Sequence, residues 1–439
     1  MKALALSSLI VLAAAPAIAQ NVPAQNAQAQ DGFNWRKHDG QTINLILNNF
    51  SWTQALRPRI EEFTKKTGIK VRLEAFSEEQ YRARLSTLMQ AKSTDIDVFM
   101  TLPSREAPLF QQNGWYADLG PLLKTATSPD FDYQDFSKAL RDSGVVAGKV
   151  TSIPINVEGP LFYWRRDVFE KCNVSKPEFL EDLPATAAKI KACDTAIYPW
   201  AARGLRGTVG YPLGGFVYNM GGDFQTPDGK ATLCLPGTIK GLELYGDLLR
   251  NFGPPGATNH TFTQVMDLLG QGRVAMTNES SNEFSTLMKR PERVEDIGVA
   301  VLPKSRETGI SKPIVINWSV AVSGFSTKQE PAWYFLQWAT AKDTQAFLAD
   351  AGIAPSRASV FKSEKFAQWA AEARPRGEWV KALAEIAETG ASAYQTPTLS
   401  RTPEAREILS NVVQQIVLGQ ADAKTAACAV TEQVQALQN

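Results

Sequence analysis

Only two of the 439 residues are histidine, His38 and His260. General-base catalysis by imidazole, or a metal held by several imidazoles, therefore has almost no material. The four cysteines, Cys172, Cys193, Cys234 and Cys428, form no Cys-x-x-Cys pair, so neither zinc nor thioredoxin-like chemistry has support. Glu158 and Glu279 could act on a glycosidic bond only if the fold held them about 5–10 Å apart. Glu106, Glu158 and Glu279 are few for clamping a polyamine, and the adjacent tyrosines of a ferric site do not occur. Non-covalent recognition is better provided for. Trp52 stands close to Asn48 and Asn49, Asn317 adjoins Trp318, Arg105 adjoins Glu106, Asn278 adjoins Glu279, and Arg357 closes Pro355-Ser-Arg. Indole faces suit the C–H side of a sugar, and amide, carboxylate and guanidinium forks suit its hydroxyls. Plainer roles compete with this one: Trp52 as a packing residue near a helix start, Arg105 and Glu106 as a solvated loop ion pair. The expectation is a binder with no catalytic group, no cofactor and no metal.

Composition and charge narrow the setting. The chain is 44% hydrophobic and 21% charged, with 46 Lys+Arg against 45 Asp+Glu. Such balance gives no field to hold a polyanion, so no nucleic-acid partner is expected. Met1-Lys2, the apolar run Ala3–Ala15 and Ala17-Ile-Ala19 read as a secretory signal peptide over 1–19, followed by a flexible Gln/Asn/Ala-rich leader over 20–39. Cleavage after Ala19 takes Lys2 with it and leaves cations and anions equal. Export to the periplasm as a soluble monomer is the expectation, and four cysteines there suit two disulfides. The short loop favours Cys172–Cys193, which leaves Cys234–Cys428; free buried thiols are the alternative.

These residues need elements to position them. Ile43–Leu47, Ile69–Leu73 and Ile96–Met100 read as strands, with helical spacing at Leu56, Ile60 and Phe63 and again at Tyr81, Leu85 and Leu88. The β-α-β-α-β order predicts an α/β fold with a mainly parallel sheet, whose ligands sit at loops leaving the strands' carboxyl ends. Asn48–Trp52 and Thr101–Glu106 are such loops. Further on, Leu161–Trp164, Arg273–Met276, Ile297–Leu302 and Ile314–Val322 read as strands. Helices are expected around 184–191, 239–249, 262–269, 331–349, 379–388, 403–418 and 423–437. Trp333, Trp338, Trp369 and Trp379 fall among apolar residues at helical spacing and read as core.

The order of segments resembles the extracellular solute-binding proteins of ABC importers, the family of maltose-binding and sorbitol/mannitol-type sugar binders. The pieces are Ile43–Trp52, Thr67-Gly-Ile-Lys-Val71, Asp95-Ile-Asp-Val98, Gly114–Leu119, Ile153-Pro154 before Glu158, Gly221-Gly-Asp-Phe224, Gly270–Met276, Val301-Leu-Pro303 and Gly352–Arg357. Phe252-Gly-Pro-Pro-Gly256 leans towards the polyol branch. The resemblance implies two α/β lobes, each a mainly parallel sheet flanked by helices, with crossing hinge strands near Pro154, Gly272 and Trp318. It assigns 40–154 plus 274–317 to lobe one and 155–273 plus 318–439 to lobe two. It also implies a cleft carboxylate at Glu158, a stacking aromatic at Tyr211, a sugar or polyol as ligand, and an ABC permease as partner. A sugar acid, a sugar phosphate or another small organic solute stands second, a secreted carbohydrate-active enzyme well behind.

Overall fold

The computed structural model describes residues 32–226, 228–389 and 401–437. The expected signal peptide and leader residues 20–31 lie outside them. Strands β1 (Thr42–Asn48), β2 (Lys70–Phe76) and β3 (Val98–Thr101) open the chain, joined by helices as the hydrophobic spacing predicts. Next come a hairpin of β4 (Val145–Val146) and β5 (Lys149–Val150), then β6 (Ile153–Pro154), β7 (Pro160–Arg165), β8 (Tyr198–Ala201), β9 (Val274–Ser280), β10 (Ile297–Val301) and β11 (Ser319–Val322). Among the described residues, two larger sheets stand beside the β4-β5 hairpin, ordered β2-β1-β3-β11-β6 and β10-β7-β9-β8. In the first, only β11 runs against the other strands; in the second, only β7 does. The two reversed strands are those that enter a sheet directly after the chain crosses between lobes. This is the two-lobed α/β architecture.

Sheet membership reverses the expected allotment of the later segments. β9 pairs with β7 and β10 with β7, so 274–301 belongs with the second lobe. β11 pairs with β3 and β6, and the helix Gln329–Ala339 packs on β11, so the chain after Trp318 returns to the first lobe. The helix Arg374–Thr389 then packs on β10, back in the second lobe. A strand's backbone donors and acceptors decide which sheet it completes, and a sequence run does not display its partner.

Among the described residues, three segments cross between the lobes. Asn156–Glu158 runs beside Ile316–Trp318, with Glu158 N donating to Ile316 O at 2.8 Å and Ile316 N to Glu158 O at 2.7 Å. The third passes Ala354, which accepts from Val157 N at 3.2 Å, and Ser356, whose Oγ donates to Pro154 O at 3.0 Å. Pro154 and Trp318 thus border crossings, as expected. Gly272 does not: it makes the left-handed turn (φ +76°) into β9, within the second lobe.

Both disulfides join the expected pairs, Cys172–Cys193 with its short loop and the remaining Cys234–Cys428. The second ties the start of the helix Pro236–Phe252 to the helix Ala423–Ala436. Gly222 explains the Gly221-Gly-Asp motif: a Cβ there would sit 2.4 Å from Thr238 N, where that long helix begins. The end of the expected leader is held rather than loose. Phe33 stacks on Tyr334 at 5.0 Å, Trp35 meets the same ring edge-on at 5.6 Å, and Lys37 reaches Glu330 at 2.5 Å. Its aromatics bury against the helix Gln329–Ala339, which a composition reading of the leader overlooks. The four tryptophans read as core are all buried.

Candidate functional site

A cavity of about 480 Å³, partly open to solvent, lies between the two sheets where the crossing segments meet. Its floor is Glu158, Ile316 and Trp318. First-lobe loops leaving the carboxyl ends of β1, β2 and β3 supply Asn48 and Phe50, Glu78, and Leu102 with Arg105. In the second lobe, Arg203 follows β8, while Ser280 ends β9 with Glu283 just beyond. Tyr211, Phe262 and Arg406 come from the helices Gly210–Asn219, Phe262–Gly270 and Thr402–Val417.

Five of the twelve sequence candidates therefore meet around one space: Asn48, Arg105, Glu158, Tyr211 and Trp318. The other seven turn away for local reasons. Asn49 is exposed, its N–H given to Phe76 O at 2.7 Å. Trp52 is fully buried in the first lobe's core, because the helix Ser51–Leu56 rotates it inward and leaves Phe50 at the cavity. Glu106 caps its own helix, accepting from Leu102 N at 2.8 Å and pairing with Arg82. Asn317 lies between two inward residues of an extended chain and so points out, accepting from Ser143 Oγ at 3.0 Å. Asn278 donates to Pro212 O at 3.1 Å. Glu279 sits behind the wall, holding Arg203. Arg357 is wholly buried away from the cleft, bonding Phe131 O at 2.7 Å and Asp132 O at 3.0 Å and lying over the Phe136 ring at 4.2 Å. It locks a first-lobe loop to the third crossing.

The cavity's charges are held by one another. Glu78 pairs with Arg82 at 2.8 Å and Arg105 at 3.5 Å. Burial opposes its ionisation, but the guanidiniums of Arg82, Arg105 and Arg406 prevail and hold its carboxyl at about 2. Arg203 grips Glu279 through Nε, at 2.9 and 3.1 Å to the two oxygens, and through Nη2. Desolvation works against that guanidinium, and Glu279 more than restores its charge. Its plane lies over Tyr211 at 4.9 Å and Phe262 at 5.3 Å, presenting a cation braced by two aromatic faces. Glu158 accepts from Ser280 Oγ at 2.8 Å and Asn282 Nδ2 at 2.9 Å, and burial pushes its carboxyl upward. Glu283 is pushed up to about 7, by burial first and then by the charges of Glu279 and Glu158. The Tyr211 hydroxyl faces Glu158 and Ser280.

The missed lining residues differ in legibility. Glu78 obeys the strand-end rule used for Asn48, applied to β2. Glu283 follows four residues after a candidate already in view. Arg203 depends on recognising β8, where Pro199 interrupts the strand pattern. Arg406 carries no local signal; a C-terminal helix brings it in by packing on the helix Pro236–Phe252.

The model of the family described as bacterial extracellular solute-binding protein matches residues 49–346, more than half of the chain. An erythritol/L-threitol-binding protein of Mycolicibacterium smegmatis is 25% identical over 361 residues, covering 78% of this chain and 76% of that one. A mannitol-binding protein of Pseudomonas aeruginosa is 25% identical over 341 residues, covering 73% and 74%. An ABC transporter solute-binding protein of Agrobacterium radiobacter K84, solved in complex with ribitol, superposes with a TM-score of 0.81 at 21% identity, covering 91% of this chain and 99% of that one.

Proposed function

We propose that this chain, which belongs to the bacterial extracellular solute-binding protein family, captures a polyol or small sugar between its lobes and hands it to an ABC permease. The carrying observation is the composition of the cavity wall. Three acids and three arginines line it, Glu78, Glu158 and Glu283 against Arg105, Arg203 and Arg406, and Arg105 is already paired with Glu78 and Arg203 with Glu279. Such a wall is dense in fixed donors and acceptors while nearly neutral, which suits a ligand rich in hydroxyls and without charge. Phe50, Tyr211, Phe262 and Trp318 supply the apolar faces for its C–H groups. The polyols named for the two relatives agree with this wall. Recognition and closure need no bond making, and the family's work is transport. The signal-like residues 1–19 support a periplasmic location, and the permease follows from the family.

A thermal-shift series tests the ligand class with erythritol, ribitol, D-mannitol and, as the charged contrast, D-gluconate. A ligand at 100 times its Kd adds about 2.7 kcal/mol to stability. A rise in melting temperature with a polyol and none with gluconate is the expected result. A shift with gluconate alone assigns the three arginines to a carboxylate and replaces the polyol by a sugar acid.

A further inference from the structure

Three glutamates and one arginine are buried together at the second-lobe wall. Glu158, Glu279 and Glu283 are respectively 6%, 0% and 6% exposed. The single guanidinium among them, Arg203, is committed to Glu279 on both carboxylate oxygens. Glu158 is compensated by Ser280 and Asn282. Among the described residues, the Glu283 carboxyl has one hydrogen-bond partner, Thr286 Oγ1 at 3.0 Å, and it lines the cavity. Tyr163 on β7 lies within its field, and Glu78, Arg105, Arg406 and Tyr211 complete the cavity's ionisable groups. The helix Ser51–Leu56, which packs against Ser281–Glu283, offers no ionisable side chain, and Asp267 of the adjacent helix Phe262–Gly270 is taken by Arg290 at 3.0 Å.

We propose that Glu283 enters the closed site as a neutral carboxyl, so that ligand capture takes up a proton at this residue and weakens as pH rises. The reasoning is electrostatic. Closing the lobes over a ligand strips water from Glu283, and a carboxylate there would be buried beside two others, with the guanidinium among them, Arg203, already given to Glu279. The protonated form avoids that cost and turns its O–H towards a ligand oxygen. Burial and the two neighbouring carboxylates already hold the group at about 7. The inference rests on the polyol reading of the same cavity.

Calorimetry with D-mannitol between about pH 5 and pH 8.5 tests it. Affinity is expected to fall by about thirtyfold across that range, with proton uptake revealed as a difference in heat between phosphate and Tris buffers. Glu283→Gln is expected to abolish both the pH dependence and the buffer dependence, whatever its absolute affinity. A wild-type affinity flat with pH, no proton uptake, or a Gln variant with the wild-type slope overturns the proposal.

If D-mannitol does not bind, the polyol reading is what falls, and the proton is followed in ligand-free protein. A carboxyl raised by folding binds its proton more tightly in the native state. Stability therefore drops as pH rises from the ordinary carboxyl range through about 7. Melting temperatures should show Glu283→Gln gaining on the wild type across that window, and parallel curves overturn the proposal. Glu283→Met, uncharged and of similar length, serves the same comparison where the amide does not fold.

Discussion

At the scale of single residues, the cleft is decided by which member of a neighbouring pair faces in. Trp318 faces in and Asn317 out; Phe50 faces in and Trp52 out; Arg203 reaches the cavity while Glu279 stands behind it. Residue type and neighbourhood were legible in the sequence, since an aromatic–amide cluster stands at both places. Orientation was not, because it follows from the rotation of the helix Ser51–Leu56 and the pairing of Ile316 with Glu158. Trp318 is the sharpest test of this scale. Its ring meets Phe50 at 5.5 Å and carries Arg82 at 5.3 Å, so it is fixed before any ligand arrives. An aromatic face already ordered loses little entropy on stacking. Trp318→Ala is expected to weaken polyol binding by about 1–3 kcal/mol, read as a rise in Kd by calorimetry. Asn317→Ala should leave Kd much closer to the wild type, and equal losses in the two variants would remove the inward–outward distinction.

At the scale of elements, the strands at the chain's start declared themselves by apolar runs and the helices between them by period. β8 did not, with only four residues and Pro199 among them, and Arg203 was missed with it. Nor did any run announce that β9 joins the second sheet, since pairing is a property of two segments and the sequence shows one at a time. The two disulfides constrain elements on very different scales. Cys172–Cys193 closes a separation of 21 residues, and Cys234–Cys428 closes 194, tying a second-lobe helix to the last one. In the chain-entropy account, the longer loop stabilises more, by about 5 kcal/mol against about 3 kcal/mol. Arg406 stands on the helix Thr402–Val417, which packs between those partners, so the long bridge also steadies a cavity residue. Cys234→Ser with Cys428→Ser is expected to lower the melting temperature more than Cys172→Ser with Cys193→Ser, and to weaken ligand binding as well. Calorimetric melting and Kd on both double variants check this, and the reverse ranking would break the loop argument.

At the scale of the whole molecule, three extended segments among the described residues cross between the lobes, and buried apolar side chains of both lobes belong to one continuous cluster. The crossings exchange backbone hydrogen bonds at Glu158–Ile316, Ile155–Trp318 and Val157–Ala354. Across the mouth, Lys289 Nζ meets Gln54 Oε1 at 3.1 Å, an exposed polar pairing for which water competes. Glu78 on the first lobe lies in the field of Arg203 and Arg406 on the second, and opening hydrates all three. Opening exchanges these polar partners for water, and that exchange enters the balance between open and closed forms. A polyol changes it by supplying hydroxyls that reach both walls and apolar carbons that dry Trp318 and Phe50. A ligand shifts such an equilibrium only by its preference for one state, and a ligand touching both lobes does so only when they are closed. Small-angle scattering should then show the radius of gyration falling on saturation with a bound polyol. Trp318→Ala should need more ligand for the same fall, because the indole on the cavity floor is dried by the ligand's carbons only when the lobes close. A scattering curve unchanged by saturating ligand would mean the lobes are already closed in its absence, and binding would then have to proceed through rare openings, seen as an association rate that levels off with ligand concentration.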